Sequence, residues 1–161
     1  MSDNFNLPIF PLNGTILFPE TNLPLNIFEQ RYLNMVDFAL STNKKFGMIQ
    51  SKENGGLYNI GCIGKIISYE ETSDGRYLIN ILGEKYFEVI NEKKIKNLFR
   101  TVEAKEFAPD KSLNKAQINE KTKHSLIQKY TDFVKSSKYE VDFNFLQKIE
   151  PLALIKFIAM A

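Results

Sequence analysis

From Phe46 to Phe107 apolar residues recur largely at every second position with no helical stretch among them, which commits most of the chain to a sheet. Residues 47–50 read as a short strand and residues 51–56 as a polar loop. Ile60, Cys62 and Ile66 alternate with Ile63, Ile67 and Tyr69, a pattern that predicts a strand covered on both faces. Asp74 and Gly75 supply a hairpin turn. On the return strand Tyr77, Ile79 and Ile81 make one face, Leu78 and Leu82 the other, and runs at 86–90 and 98–104 follow. Five or six strands in succession without crossover helices predict a mostly antiparallel sheet, curled into a barrel that hides its edges.

The flanking segments are of a different kind. Two apolar runs, 7–10 and 15–18, are split by Asn13 and Gly14, which both tolerate positive φ in a tight turn. Prolines 8, 11, 19 and 24 cannot donate to a ladder, so these runs are expected to be edge-like or irregular. A helix is expected over about 27–42, with Asn26 as its cap and Glu29 three residues on, as in a capping box. Phe28, Tyr32, Met35, Val36 and Ala39 would share one face of it. Residues 109–114 read as a linker. Leu126, Ile127, Tyr130, Phe133 and Val134 mark an amphipathic helix over roughly 114–137, and 143–161 continues as helix, with Pro151 placed in a first turn after Glu150. The class is therefore α+β, with a β-barrel over 1–108 and a helical part over 109–161. Leu152, Leu154, Ile155, Phe157, Ile158 and Met160 cover more than one face of the last helix, so that helix is expected to pack on a second copy or to stay disordered.

Composition matters chiefly for what it excludes. One cysteine and one histidine cannot supply a zinc site. A nucleophilic triad needs a histidine base, and the single His124 falls on a Lys-rich helix distant in sequence from any serine in a special setting, so it reads as a surface histidine, and Cys62 in an apolar strand as a small core residue. The segment from Gly61 to Ile66 has a superficial likeness to a phosphate-binding loop, but Asn59 stands where that motif needs glycine and Ile66 where it needs Ser or Thr. Glu70 and Glu71 are adjacent in a strand and point to opposite faces, so they do not share a proton. No enzyme activity, cofactor or metal is expected. Residues 1–83 carry six basic and eight acidic groups, 84–138 thirteen and eight, and 139–161 two and three. Lys and Glu interleave in the basic stretch, which reads as a solvated face. The single cysteine, the lack of a signal-like start and the lack of a long apolar run give a cytoplasmic expectation and no membrane partner.

The opening segment carries a resemblance. Phe10 to Leu12, Leu17 to Pro19, Leu23 to Leu25, Ile27 to Glu29, and Arg31 with Tyr32 follow in an order and spacing that resemble the signature of the Lon protease N-terminal domain family. Gly61 to Gly64 resembles the family's second landmark, and Asp74 to Tyr77 followed by Gly83 and Phe87 its third. Weaker similarity continues to Met160, so nearly the whole chain is covered. The resemblance implies a PUA-like antiparallel β-barrel with one inserted helix and a helical C-terminal part. It also implies a short, stand-alone bacterial form without ATPase or peptidase domains, whose helical part stops early relative to the family. By the same resemblance the function is non-catalytic recognition of unfolded or partly folded polypeptides, linked to proteolysis. Phe18, Pro19, Leu23, Pro24, Phe28, Arg31 and Tyr32 are the candidate partner-binding residues. Glu29 and Arg31 serve equally well as fixers of the helix start. An RNA-binding PUA-like module is the alternative; only Arg100 accompanies the twelve lysines of 84–138, and no aromatic–basic cluster favours base stacking, so nucleic acid is the weaker expectation.

Overall fold

The hairpin at Asp74 is the seam from which the sheet is built. The computed structural model describes residues 3–93, 98–109, 119–137 and 141–161. β4 (Ile60–Glu71) turns into β5 (Tyr77–Glu92) through Gly75 at φ 80°. The Thr72 N–H donates to the Arg76 carbonyl, and the Thr72 hydroxyl accepts from the Arg76 N–H. The Arg76 guanidinium closes on Asp74, with Nε 2.6 Å from Oδ2.

β5 is one continuous strand of 16 residues, so the runs at 77–82 and 86–90 are not separate elements. One edge pairs with β4 from Tyr77 to Glu88. On the other edge its first half pairs with β2 (Asn22–Ile27) and its second half with β6 (Thr101–Phe107), with a register shift between Val89 and Asn91. β3 (Lys45–Ile49) pairs antiparallel with β4 and parallel with β1 (Phe5–Pro11), and β1 pairs antiparallel with β6. Strands β5, β4, β3, β1 and β6 thus close into a ring, with β2 appended to β5.

The expected α+β arrangement is present, with specific differences. The β1–β3 pair is parallel. β1 is not an edge despite Pro8 and Pro11: residues 5–8 ladder to β6 and 9–11 to β3, so neither proline breaks a two-sided ladder. The run at 15–18 is not a strand. β4 is covered on both faces only along its first half: Cys62 and Ile66 are buried in one cluster and Ile63 is half-buried against the other, whereas Ile67 and Tyr69 are exposed. The inserted helix α1 (Gln30–Ser41) buries Tyr32, Met35, Val36 and Ala39, as its period requires. Its N-cap is Glu29 without a side-chain cap bond, because Asn26 is taken up in β2 opposite Leu78 and Phe28 precedes the helix.

Residues 1–108 form one compact unit and 109–161 a second. The first holds two apolar clusters. One joins α1 to Phe10, Leu17, Phe46, Ile79 and Ile81; the other surrounds Phe87 with Leu7, Ile9, Ile49, Val102 and Ala104. The second unit comprises α2 (Glu120–Ser136), α3 (Phe143–Lys148) and α4 (Pro151–Met160) around fully buried Ile127, Leu146 and Leu154. Asn119 caps α2, Asp142 caps α3, and Glu150 caps α4 by accepting from the Leu152 and Ala153 N–H groups ahead of Pro151 at N1. The expected linker beyond Pro109 and the expected helix start near 114 lie outside the described residues. Among the described residues no helix is long and apolar enough to cross a membrane.

The hydrogen bonds from Arg76 and then Thr72 hold the Asp74 carboxyl at about 2, below its ordinary 3.8. A depressed folded value means that ionised Asp74 supports the hairpin above about pH 4, and that this support is lost as the pH falls through about 2. A carboxyl-carbon NMR titration should give a midpoint near 2 in the native chain and a clear rise in Arg76→Gln. An ordinary carboxylate midpoint in the native chain would show that the clasp does not form in solution.

Candidate functional site

The segment between β1 and β2 is held on the sheet by main-chain bonds to one glycine. The Gly83 N–H donates to the Thr21 carbonyl at 2.9 Å, and the Glu20 N–H donates to the Gly83 carbonyl at 2.8 Å, with Glu20 at φ 65°. The Thr21 hydroxyl donates to the Phe18 carbonyl at 2.7 Å. A Cβ at position 83 would overlap that same carbonyl, so the close approach requires glycine there. This docking leaves Phe18 and Pro19 half-buried and sends Leu17 into the core.

β2 then sorts its side chains by alternation. Leu23, Leu25 and Ile27 turn inward, Leu23 and Leu25 only half-buried, while Asn22, Pro24 and Asn26 are exposed. Pro24 pairs in register with Asn80, and Asn26 with Leu78. Leu78 is exposed, as is Ile67 at the bulge of β4. Phe28, just past β2, is 65% exposed. Pro24, Phe28, Leu78 and Ile67 are thus apolar groups that the sheet leaves outside its core.

Tyr32 and Arg31 belong to a different environment. Tyr32 is only 8% exposed, lies 4.1 Å from the Phe10 ring centroid, and donates its hydroxyl to the Pro11 carbonyl at 3.4 Å. Burial pushes its phenol up from the ordinary value, partly offset by the nearby Arg31 cation. Arg31 pairs with Glu29 at 2.8 Å and sits 4.6 Å from the Tyr32 ring centroid. Both residues therefore fix the start of α1 in the native packing, and Tyr32 offers little accessible surface.

At the other end of β4, Ile60 and Tyr58 are exposed and face Ile16 across a groove of about 550 Å³ that Gln50, Lys52 and Asn59 also line. A narrower pit of about 100 Å³ shares Ile16, Gln50 and Ile60 with it and is lined further by Phe18, Met48, Cys62 and Tyr86. Of the candidate residues only Phe18 reaches this region. Ile16, Tyr58, Ile60, Ile67 and Leu78 escaped the sequence reading, since period-two alternation says which residues share a face but not which face the ring encloses.

Chemically the surface is suited to holding apolar groups. Among the described residues no three His, Cys, Asp or Glu side chains are grouped to hold a metal ion. His124 is exposed on α2 with its ring set edge-on to Phe143, and Cys62 is buried.

Residues 6–161 match the family described as the ATP-dependent protease La (LON) substrate-binding domain. The Lon protease of Dictyoglomus thermophilum is 27% identical over 162 residues, which cover 95% of this chain and 20% of that protein. The Lon protease of Heliobacterium modesticaldum is 24% identical over 96% of this chain and 18% of its own length. The chain thus spans about a fifth of the curated relatives it matches. Among solved structures, a Lon N-terminal domain protein from Xanthomonas campestris superposes with TM-score 0.59 at 20% identity, covering 96% of both chains. The N-terminal domain of the Mycobacterium avium complex Lon protease gives TM-score 0.64 at 16% identity, over 98% of this chain and 83% of that one.

The two kinds of aromatic are separable by mutation. Phe28→Ala should leave the urea midpoint within about 0.5 kcal/mol of the native chain, and Tyr32→Ala should cost about 3–5 kcal/mol. Equal costs would contradict the division into outward and core groups. Gly83→Ala should cost about 1–3 kcal/mol through the overlap with Phe18; an unchanged midpoint would mean that the 18–21 segment is not docked on β5.

Proposed function

The chain belongs to the Lon substrate-binding domain family, and on that premise we propose that it binds exposed apolar segments of unfolded or partly folded polypeptides without catalysing a reaction on them. The observation that carries the reading is the set of apolar groups held outside a well-packed ring: Pro24, Phe28, Leu78 and Ile67 at one end of β4 and Ile16, Tyr58 and Ile60 at the other. Large apolar groups gathered on a folded surface are a common mark of an interaction site. Phe18, Pro19 and Leu23 contribute their half-exposed edges, and Arg31 a charged rim. The rigid backbone behind them lowers the ordering cost on binding. Such shallow surfaces lack enclosed hot spots, so affinities in the micromolar range are expected.

One feature weighs against RNA as the partner. Lys85, Arg100 and Lys105, from the basic stretch, are paired with Glu106, Glu92 and Glu88. Those cations are already neutralised, and a phosphate track needs unpaired ones. The reading extends to a cytoplasmic setting, to a role linked to proteolysis, and to self-association through α4, where Leu152, Ile155 and Phe157 are exposed.

Fluorescence anisotropy with a labelled unfolded polypeptide and a labelled RNA, each at low and raised salt, tests the reading. Micromolar polypeptide binding that survives raised salt is the expected result, weakened by Phe28→Ser. Salt-sensitive RNA binding without polypeptide binding would replace the reading with the nucleic-acid one.

A further inference from the structure

The groove beside Ile60 differs from the rest of the apolar surface in carrying a charge of its own. Its walls are Ile16, Ile60 and the Tyr58 ring, and Lys52 stands at its rim with Nζ 5.6 Å from the Tyr58 ring centroid. Six other cations of the first unit, Arg31, Lys45, Arg76, Lys85, Arg100 and Lys105, have carboxylate partners. Lys52, like Lys44, Lys65 and Lys93, has none within ion-pair distance among the described residues, but of these four only Lys52 lines the groove, and no carboxylate does. An unpaired ammonium resting on an aromatic face beside an apolar channel is complementary to an anion attached to an apolar body.

The loop that bears Lys52 is prearranged. The Lys52 N–H donates to the Gly56 carbonyl at 2.7 Å, the Gly55 N–H to the Lys52 carbonyl at 2.9 Å, and the Tyr58 N–H to the Gln50 carbonyl at 3.1 Å. The Gly56 N–H is taken by Asn54 Oδ1, and the Ser51 hydroxyl ties the loop to Asn13 at 2.6 Å. A free chain terminus is captured by spare backbone N–H groups, and these four are already used. The carboxamides of Gln50 and Asn59, each both donor and acceptor, line the groove instead and suit the backbone of a chain that passes through. A volume of about 550 Å³ falls among those of binding pockets and admits a few residues.

We propose that this groove takes an internal, extended polypeptide segment in which an aliphatic or aromatic side chain lies within one or two residues of an Asp or Glu, the apolar group lying against Ile16, Ile60 and Tyr58 and the carboxylate meeting Lys52. The proposal rests on the polypeptide-binding reading and names the segments it favours. The apolar contact supplies most of the affinity, and the rim charge supplies discrimination.

The test uses the full chain and fluorescent peptides blocked at both ends, identical except for Asp, Asn or Lys two positions after a single Leu, at low and raised salt. The Asp peptide should bind about two- to fivefold more tightly than the Asn peptide, the Lys peptide more weakly than either, and the spread should shrink with salt. Lys52→Glu should abolish or reverse that order, and Tyr58→Ser should weaken all three, with unchanged melting in both variants. Equal binding of the three peptides, or an order that survives Lys52→Glu, overturns the proposal and leaves the general polypeptide reading standing. A peptide whose only acid is its free C-terminus should bind like the Asn peptide; if it matches the Asp peptide, the internal-segment assignment is wrong. No binding of any peptide, or of unfolded protein, overturns both readings.

Discussion

Phe87 sits fully buried over a part of the sheet where two neighbouring strands carry no side chain. A Cβ at Gly47 of β3 would come within 2.7 Å of the ring, and one at Gly61 of β4 within 2.6 Å. The ring therefore occupies the space that those glycines leave, and β5 is drawn across β4 while its far half turns to meet β6. Closure through β6 and β1 back to β3 follows from that placement, with Leu7, Ile9, Val102 and Ala104 filling in around the same aromatic. Burying a Phe side chain contributes about 1.5–3 kcal/mol from its area alone, and here it also sets which faces of five strands point inward.

Once the inside of the ring is fixed, the outside is fixed too. β2 can add to β5 only along the first half of its free edge, because β6 occupies the second. Inward Leu23, Leu25 and Ile27 then leave Pro24 outward, and Pro24 at the ring's appended strand lacks the N–H that a further strand would need. The same closure brings Gly83 against the Phe18 carbonyl and so positions Ile16 and Phe18 beside Ile60. The outward apolar surface is in this sense the remainder left by a core organised around Phe87 and α1. Ile60 and Ser68 lie about 26 Å apart along extended β4, so the two ends of that surface would meet different parts of a bound chain.

Much of this was legible in the sequence. The Asp74–Gly75 turn, the buried face of α1 from Tyr32 to Ala39, and Pro151 in a first helical turn after Glu150 are local effects, and local chemistry announced each of them. Non-local facts were not legible. Asn26 has the chemistry of a cap, but pairing with Leu78 claims it for β2. The runs on either side of Gly83 read as two strands, yet Gly83 lies within one, and it is glycine because the neighbouring Phe18 carbonyl leaves no room for a Cβ. The parallel β1–β3 pair depends on where a distant segment returns, which periodicity does not encode. For the surface, Pro24 and Phe28 were marked by an unusual segment, whereas Tyr58, Ile60 and Leu78 look like ordinary strand residues until the ring decides that they face out.

The proposal at the centre of this account is that the folded ring presents these outward apolar groups to unfolded chains. Amide and methyl chemical-shift mapping, with isotope-labelled protein titrated by a reduced, blocked and permanently unfolded polypeptide, tests it most directly. The account predicts dose-dependent shifts at Ile16, Asn26, Phe28, Tyr58, Ile60, Ile67 and Leu78, with the core around Phe87 unperturbed. Shifts confined to the lysine-bearing face of α2, or none at saturating polypeptide, would contradict it.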